Sequence, residues 1–263
     1  MLAFALGLLF KIAMTASIVV AASVVVERSG PFVGALIASL PTAGGAAMII
    51  LALEHPPAFI ANSAVGSIVS NAVCALFALT YAALAQKRSL AVSLAGAFAV
   101  WFTLALASRF VDWTATTALV MNMIVFPLTV LAGARFRAHD GVKGRVHLTM
   151  RDLAWRAGVV TFVVIVVTAA SYSIGSFASG LFAFFPVAMS SFFVILHTRL
   201  GGPAAASTAA HVQAPLFGLC LGLLAVHVMA VPVGVWWAYL ACLSIGLGWN
   251  AALWILRNRR ARA

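Results

Sequence analysis

Charged side chains are scarce in this chain of 263 residues: Asp, Glu, Lys and Arg make up 8% of it, against 64% hydrophobic residues. A soluble domain of this length needs far more charge to cover its surface, so the composition excludes one. Apolar runs of about 18 residues or more recur from end to end, and each is long enough to cross a bilayer. The sequence therefore predicts a polytopic membrane protein whose main partner is the lipid bilayer.

Carboxylates are rarer still, with five Asp and Glu against sixteen Lys and Arg. All five lie at expected helix ends or in loops, which disfavours both proton coupling on an intramembrane acid and hydrolysis by paired acids. The three cysteines, Cys74, Cys220 and Cys242, are isolated in apolar runs, so no disulfide framework or metal spacing follows from them. No nucleophile elbow or phosphate-binding loop occurs. We expect a non-enzymatic protein without cofactor, metal or catalytic residue.

The hydropathy pattern predicts an all-α protein with nine spans separated by short polar breaks. Their approximate bounds are 4–26, 31–53, 58–86, 90–110, 113–134, 154–174, 176–197, 204–229 and 232–256. With the N-terminus outside and the C-terminus cytoplasmic, fourteen of the sixteen basic residues lie at cytoplasmic ends, and only Lys11 and Arg109 do not. This bias is what the positive-inside rule expects. The net charge of +11 is therefore a topology signal, and no nucleic-acid partner is expected.

A segment near the N-terminus recurs 145 residues later in the chain. Laid over each other without gaps, the two copies share five residues: Gly30/Gly175, Phe32/Phe177, Leu36/Leu181, Ala38/Ala183 and Pro41/Pro186. The same offset places Lys11 over Arg156. Five spans separate the copies, so they would cross the membrane in opposite senses. This predicts a 4+1+4 inverted repeat: four-helix units at 1–111 and 153–263, joined by a linker helix and a basic cytoplasmic loop at 112–152.

Each copy combines an early basic residue with a small-residue and leucine segment that ends in proline. The first copy has Lys11 and Gly34–Pro41, and the second has Arg156 and Ser179–Pro186. In this pattern each half resembles the GlpM-type family of small four-helix bacterial inner-membrane proteins. The resemblance implies a four-helix unit in a bacterial inner membrane, present here twice and fused through a linker helix that the family pattern lacks. It implies no particular activity.

Pro41 and Pro186 fall near the middle of their spans, where a proline removes a backbone hydrogen bond and kinks or breaks the helix. Small residues follow each proline, and they are candidates to line a substrate site: Thr42, Gly44 and Gly45 in the first copy, Ser190 and Ser191 in the second. One interpretation is a pair of discontinuous helices whose positive N-terminal ends face the membrane midplane. The other is a simple packing kink.

Polar side chains inside spans three and eight are further candidates for a substrate site. Asn71 belongs to a stripe of small and polar residues in span three that includes Ser67, Ser70 and Cys74, and His211 and Gln213 lie in span eight. They would form either the polar wall of a cavity or satisfied groups in a packed core. Lys11 and Arg156 would either draw anions toward the two entrances or extend to the nearer membrane surface.

These features favour a multi-pass transporter or permease that carries a small anionic metabolite by alternating access. The alternative is a non-transporting accessory subunit or scaffold of another membrane complex. An intramembrane enzyme ranks third, because no catalytic constellation is present. A homo-oligomer is compatible with either of the first two functions.

Overall fold

The computed structural model describes residues 2–27, 42–139 and 149–260, and helices are the only regular secondary structure in these ranges. The predicted all-α class is confirmed. The helices are α1 (Leu2–Glu27), α2 (Thr42–Glu54), α3 (Pro57–Ala85), α4 (Leu90–Ser108), α5 (Ala115–Gly133), α6 (Met150–Ala183), α7 (Val187–Leu200), α8 (Gly202–His211), α9 (Gln213–Met229) and α10 (Val235–Arg260), with a 3-10 helix at Ala134–His139.

Six helical stretches in the described residues are long and apolar enough to cross a membrane. They are Pro57–Ala85, Leu90–Ser108, Ala115–Arg137, Met150–Leu200, Gly202–Met229 and Val235–Arg259. Two shorter apolar stretches, Leu9–Ala21 and Ala43–Glu54, lie in the first two predicted spans. The chain is thus compatible with a multi-pass membrane protein, whereas the count of nine spans stays a prediction.

Helix boundaries follow from local sequence signals. Thr114 and Thr149 each close a capping box, with Thr117 and Asp152 respectively, at the start of α5 and α6. Gly234, with φ of 105°, adopts a backbone conformation that side chains disfavour, and α10 begins directly after it. This start is three residues later than the sequence predicted, and the helix also continues beyond the expected end at 256.

Helix α6 is interrupted at Gly175, which has φ of 79° and ψ of 171°. The interruption lies at the residue that separates the predicted spans 154–174 and 176–197. The second of these spans is broken again between Ala183 and Val187, where α6 ends and α7 begins. Pro186 precedes the first residue of α7.

Helix α3 forms the centre of the fold and packs against α4, α5, α6 and α9. Most of its residues are buried, and Phe77 and Tyr81 are among the largest fully buried side chains in the described chain. In contrast, α10 packs on α9 and leaves large apolar side chains exposed, among them Trp236, Trp237 and Leu240. Such an exposed apolar surface suits contact with lipid acyl chains.

Helices α8 and α9 run antiparallel to α3. The two helices continue one another through Val212, which is itself α-helical; Pro215 interrupts their bonding because it has no N–H to donate to the carbonyl of His211. Four contacts define the crossing: Ala61 with His227, Asn71 with Leu216, Ala75 with Gln213, and Ala85 with Gly202. The partner number falls as the α3 number rises, which establishes the antiparallel direction.

Candidate functional site at a helix break

The break at Pro186 interrupts the helical backbone between α6 and α7. Phe184 has φ of −99° and ψ of 22° and ends α6, and Pro186 caps α7 without a side-chain hydrogen bond. Since Pro186 has no N–H, and the helical hydrogen bonds are interrupted here, carbonyl groups near the break lose their helical partners. In a bilayer those carbonyls need donors from the protein or from a polar cavity.

Side chains of α3 supply these donors. Ser70 Oγ and Cys74 Sγ both donate to the carbonyl oxygen of Phe184, at 3.3 and 3.2 Å, and Ser67 Oγ donates to that of Gly180 at 3.0 Å. The three donors follow each other at intervals of three and four residues, so they share one face of α3. The small-residue stripe found in the sequence therefore caps the broken helix.

Glycines allow α3 to approach the second part of α6 closely enough for these hydrogen bonds. A Cβ added to Gly66 would lie 2.0 Å from the carbonyl oxygen of Phe177, and one added to Gly180 would lie 1.7 Å from that of Ser63. Real carbon and oxygen atoms cannot approach so closely, so both positions require glycine. The backbones of α3 and α6 touch along this face.

Asn71 lies at the centre of the α3–α9 crossing and is 1% exposed. Its Nδ2 donates to the carbonyl oxygen of Leu216 at 2.9 Å and to Asn122 Oδ1 at 3.3 Å. Asn122, on the predicted linker helix α5, donates in turn to the carbonyl oxygens of Ile68 and Ala118. These bonds connect α3, α5 and α9 through two buried amides. Asn71 Oδ1 accepts no hydrogen bond.

Gln213 lies in the same α3–α9 interface and is fully buried. Its Nε2 donates to the carbonyl oxygen of Ala75 at 3.1 Å, one turn beyond Asn71, while its Oε1 accepts no hydrogen bond. Two buried amide oxygens in one interface thus lack donors. His211, which is half-buried, has its Nδ1 2.8 Å from the carbonyl oxygen of Ser207.

The residues after the two prolines occupy unequal positions. Pro41 lies outside the described residues, and α2 begins directly after it at Thr42. Gly44 is buried against the break at Pro186, because a Cβ added to it would lie 2.8 Å from the Phe184 ring. Gly45 is half-buried on the same helix.

Ser190 and Ser191, after Pro186, are buried and use their hydroxyl groups within their own helix. Ser190 Oγ donates to the carbonyl oxygen of Val187 at 3.1 Å, and Ser191 Oγ to that of Ala188 at 2.9 Å. Both donors are therefore engaged without a ligand.

An aromatic cluster lies beside the break on the side of α4. Trp101, which is fully buried, packs edge-on against Phe185 with ring centroids 4.9 Å apart, and also contacts Phe182. Phe98 stacks on Phe185 at 5.5 Å. The break therefore has polar donors from α3 on one side and aromatic rings from α4 on another.

The two predicted entrance bases differ sharply. Lys11 Nζ forms an ion pair with Glu54 Oε1 at 2.5 Å, at the opposite end of α2 from Thr42. Arg156 is 5% exposed, with its guanidinium carbon 5.4 Å from the centroid of the Phe192 ring. Its Nε and Nη1 atoms have no acceptor.

Several participants were not predicted from the sequence. Neither Asn122 nor Glu54 is among the candidate site residues that the sequence indicates. The mid-span amide in α5 was a usable signal for Asn122. No signal in the sequence connects Glu54 with Lys11, because the pairing depends on how α1 lies against α2. In the described residues, no three His, Cys, Asp or Glu side chains form a group that could hold a metal ion.

No protein-family model, curated protein or solved structure matches this chain. The resemblance to the GlpM-type family therefore stays a prediction based on the quoted residues.

Proposed function

We propose that this protein is a multi-pass transporter of a bacterial inner membrane, which carries a small anionic metabolite by alternating access between two inverted repeats. The proposal keeps the units 1–111 and 153–263, the linker 112–152, nine spans, an external N-terminus and a cytoplasmic C-terminus. The site would comprise the residues around the two helix breaks and the amides of the α3–α9 crossing.

Helix boundaries support the duplication independently of residue identities. Helices α2, α3 and α4 begin at residues 42, 57 and 90, and α7, α8 and α10 begin at 187, 202 and 235. Each of the second set begins 145 residues after its counterpart, the same offset that aligns the two sequence copies. Since Thr42 is also the first described residue after position 41, the support comes from the other two starts. Two coincident helix starts are what two copies of one four-helix unit would produce.

The antiparallel α3–α9 crossing is the observation that carries the proposal. Asn71 and Leu216, which are in contact, are themselves 145 residues apart. Equivalent residues of two repeats meet only at the symmetry axis that relates them. Because α3 and its counterpart are antiparallel about this point, the axis is perpendicular to the helices. For helices that cross a bilayer, such an axis lies in the membrane plane, as in inverted-repeat transporters.

The helix break supports a transport site near that axis. Ser70 and Cys74, which cap the carbonyl of Phe184, are close neighbours of Asn71 on α3. Discontinuous helices near the repeat interface form the substrate sites of many secondary transporters. Gly44, at the start of α2, also lies against Phe184, so the beginning of the first copy's helix and the break of the second are adjacent.

The charge distribution supports an anionic substrate. Glu27, Glu54, Asp112 and Asp152 lie at helix ends or in a loop of the described chain, whereas Arg156 is buried within α6. An intramembrane cation without a nearby free carboxylate favours a negatively charged ligand.

Comparison of metabolites inside and outside cells with and without the protein tests the proposal. We expect at least one small anion to redistribute when the wild-type chain is present. The change should disappear with Gly180→Leu, which would separate α3 from the break, and remain with Gly246→Ala on α10, where an added Cβ meets nothing within 4 Å. An unchanged anion profile in cells that contain folded protein would contradict transport.

A non-transporting accessory subunit is the second candidate, favoured by the engaged hydroxyl groups of Ser190 and Ser191. Cysteines at Thr42 and Ser190 distinguish the two functions in a background of Cys74→Ser, Cys220→Ala and Cys242→Ala, where the serine hydroxyl group keeps a donor for the Phe184 carbonyl. A transporter should expose both positions to small membrane-impermeant thiol reagents, and a substrate should shift the labelling between the two sides. An accessory protein should label from neither side.

A further inference from the structure

Arg156 is a buried cation whose only described electrostatic partner is an aromatic ring. Its Nε and Nη1 lack acceptors, and the Phe192 ring lies under the guanidinium group. The nearest acid along the helix is Asp152, one turn earlier. Asp152 Oδ2 is already engaged by Arg199 Nη2 and by the backbone and hydroxyl groups of Thr149. Neither Nε nor Nη1 of Arg156 forms a hydrogen bond with this carboxylate.

A buried guanidinium group without an anion is costly, because it has lost its hydration and gained no opposite charge. The face of a phenylalanine ring offsets only part of that cost. The side chain reaches little of the surface, since the residue as a whole is only 5% exposed. The guanidinium group of Arg156 therefore lacks a negatively charged partner in the described chain.

Comparison with the equivalent position in the first half shows what is missing. Lys11, 145 residues before Arg156, pairs with Glu54. The position 145 residues after Glu54 is Arg199, a base in place of an acid. The positions that hold a base and an acid in the first half therefore hold two bases in the second, and the nearby acid, Asp152, pairs with Arg199. No acid at these positions balances the positive charge of Arg156.

We propose that Arg156 binds an anionic oxygen group, a phosphate or a carboxylate, and that Lys11 does not. The two entrance bases then differ: Lys11 forms an ion pair with Glu54, and Arg156 is available to a ligand. If the bound anion is the charged end of the transported metabolite, this inference rests on the proposed function. The same chemistry could instead come from the phosphate of a lipid headgroup.

Thermal unfolding of the purified full-length protein tests this assignment. In dodecyl maltoside, tryptophan fluorescence would be followed against added inorganic phosphate at constant ionic strength with chloride. A second arm would add phosphatidylglycerol or, as a neutral control, phosphatidylcholine. A ligand that binds the folded state raises the unfolding temperature in a saturable manner. We expect this rise for the wild type with phosphate or with phosphatidylglycerol.

Matched variants locate the site. Arg156→Met, which keeps the contact with Phe192 and removes the charge, should lose the response, with affinity reduced about tenfold or more. Lys11→Met should keep the wild-type response. Without added anion, Arg156→Met should unfold at a higher temperature than the wild type, since it removes an unpaired buried charge. If Arg156→Met does not purify, Arg156→Lys should show a several-fold weaker response, because a lysine binds oxyanions as a point charge.

Each outcome has a defined meaning. A response to phosphate identifies a soluble anion as the ligand, and a response to phosphatidylglycerol alone identifies a lipid headgroup. A wild type that responds to neither, or an Arg156 variant that responds as the wild type does, overturns the assignment. Anion binding without any transported metabolite would refute the transport proposal alone, and transport with an unresponsive Arg156 would refute the anion site alone.

Discussion

Gly180 and Gly66 place backbone against backbone where α3 meets α6. A Cβ added to Gly180 would overlap the carbonyl oxygen of Ser63, at 1.7 Å. A carbonyl in a hydrogen-bonded helix cannot move aside as a flexible side chain can. The overlap would also pull Gly180 away from Ser67, whose hydroxyl group donates to the Gly180 carbonyl. Glycine at position 180 thus permits the close contact of the two helices and the hydrogen bond that caps the break.

Gly180→Ala should destabilise the protein by about 2 kcal/mol or more, since overpacking at a rigid contact forces the backbones apart. Gly246→Ala is the matched control, because it is a helical glycine with nothing within 4 Å of the added Cβ. That control should stabilise α10 by up to about 1 kcal/mol through helix propensity. Thermal unfolding in detergent measures both changes. Equal effects of the two substitutions would show that the α3–α6 contact is looser than the distances indicate.

His55, in the short connection between α2 and α3, gives the molecule a pH dependence. Burial lowers the pKa of His55, and the neighbouring charge of Glu54 opposes part of that shift. The ring stacks on Phe59 with centroids 3.8 Å apart, and its Nε2 lies 2.7 Å from Ser171 Oγ. As the pH falls below the ordinary histidine value of about 6.5, the unfolded chain binds a proton before the folded one does.

Stability should therefore be complete above about pH 6.5 and should decrease as the pH falls toward the lowered pKa of His55. Unfolding temperatures measured between pH 8 and pH 5 should show this decrease in the wild type. His55→Gln, which has no titrating ring, should show a smaller decrease. The same profile in both proteins would assign the acid sensitivity to other groups.

At the scale of elements, the broken helix and the polar face of α3 form one unit. The carbonyl oxygen of Phe184 accepts from both Ser70 and Cys74, so either donor alone can keep it satisfied. Removal of one donor leaves the other, whereas removal of both leaves a buried acceptor without a partner. Unsatisfied buried acceptors cost more than a single hydrogen bond contributes.

Ser70→Ala and Cys74→Ala should each reduce the free energy of unfolding by about 1 kcal/mol or less, and the double variant should reduce it by more than their sum. Cys74→Ser is the control, since a hydroxyl group keeps a donor at this position. Equilibrium unfolding in mixed micelles gives the four values. Additive effects would indicate that Phe184 has another donor.

The sequence predicts elements more fully than it predicts their partners. Hydropathy runs and polar breaks give the bounds of α3, α4 and α5 to within a few residues, because each helix must match the thickness of hydrocarbon. Pro186 locates the break before α7, because a proline disrupts the hydrogen bonds of its own helical turn. The stripe on α3 indicates a packing face. Which carbonyls that face caps depends on contacts more than 100 residues apart, and no local pattern encodes these.

For the candidate site, too, the sequence indicates residues but not their contacts. Asn71 and Gln213 are candidates because they are polar residues in apolar spans, and both are buried in one interface. Their separation in sequence gives no indication that they would share it. The sequence also does not predict the different surroundings of Lys11 and Arg156, because two basic residues at the same repeat offset are expected to be equivalent. They become different only when Glu54 and Arg199 are found at the matching positions of α2 and α7.

At the scale of the whole molecule, an inverted repeat requires the two halves to differ in orientation. A reporter fused after Arg262 should be cytoplasmic, and one inserted near Asp112 should face outward, since an odd number of spans is predicted between them. Activities of a compartment-specific phosphatase and a fluorescent protein at the two sites measure this directly. Location of both reporters on one side would exclude inversion.

The position of α3 at the centre of the fold also has a consequence for biogenesis. Ser67, Ser70 and Asn71 leave the ribosome before Gly180, Phe184 and Leu216, whose carbonyl groups accept their hydrogen bonds and which follow more than 100 positions later. A newly inserted first half would therefore expose a polar helix face to lipid until the second half arrived. Separately expressed halves should each be degraded, and coexpression should rescue both. In that order of synthesis, the first half would depend on the membrane-insertion machinery to cover its polar face, and completion of the second half would remove that dependence.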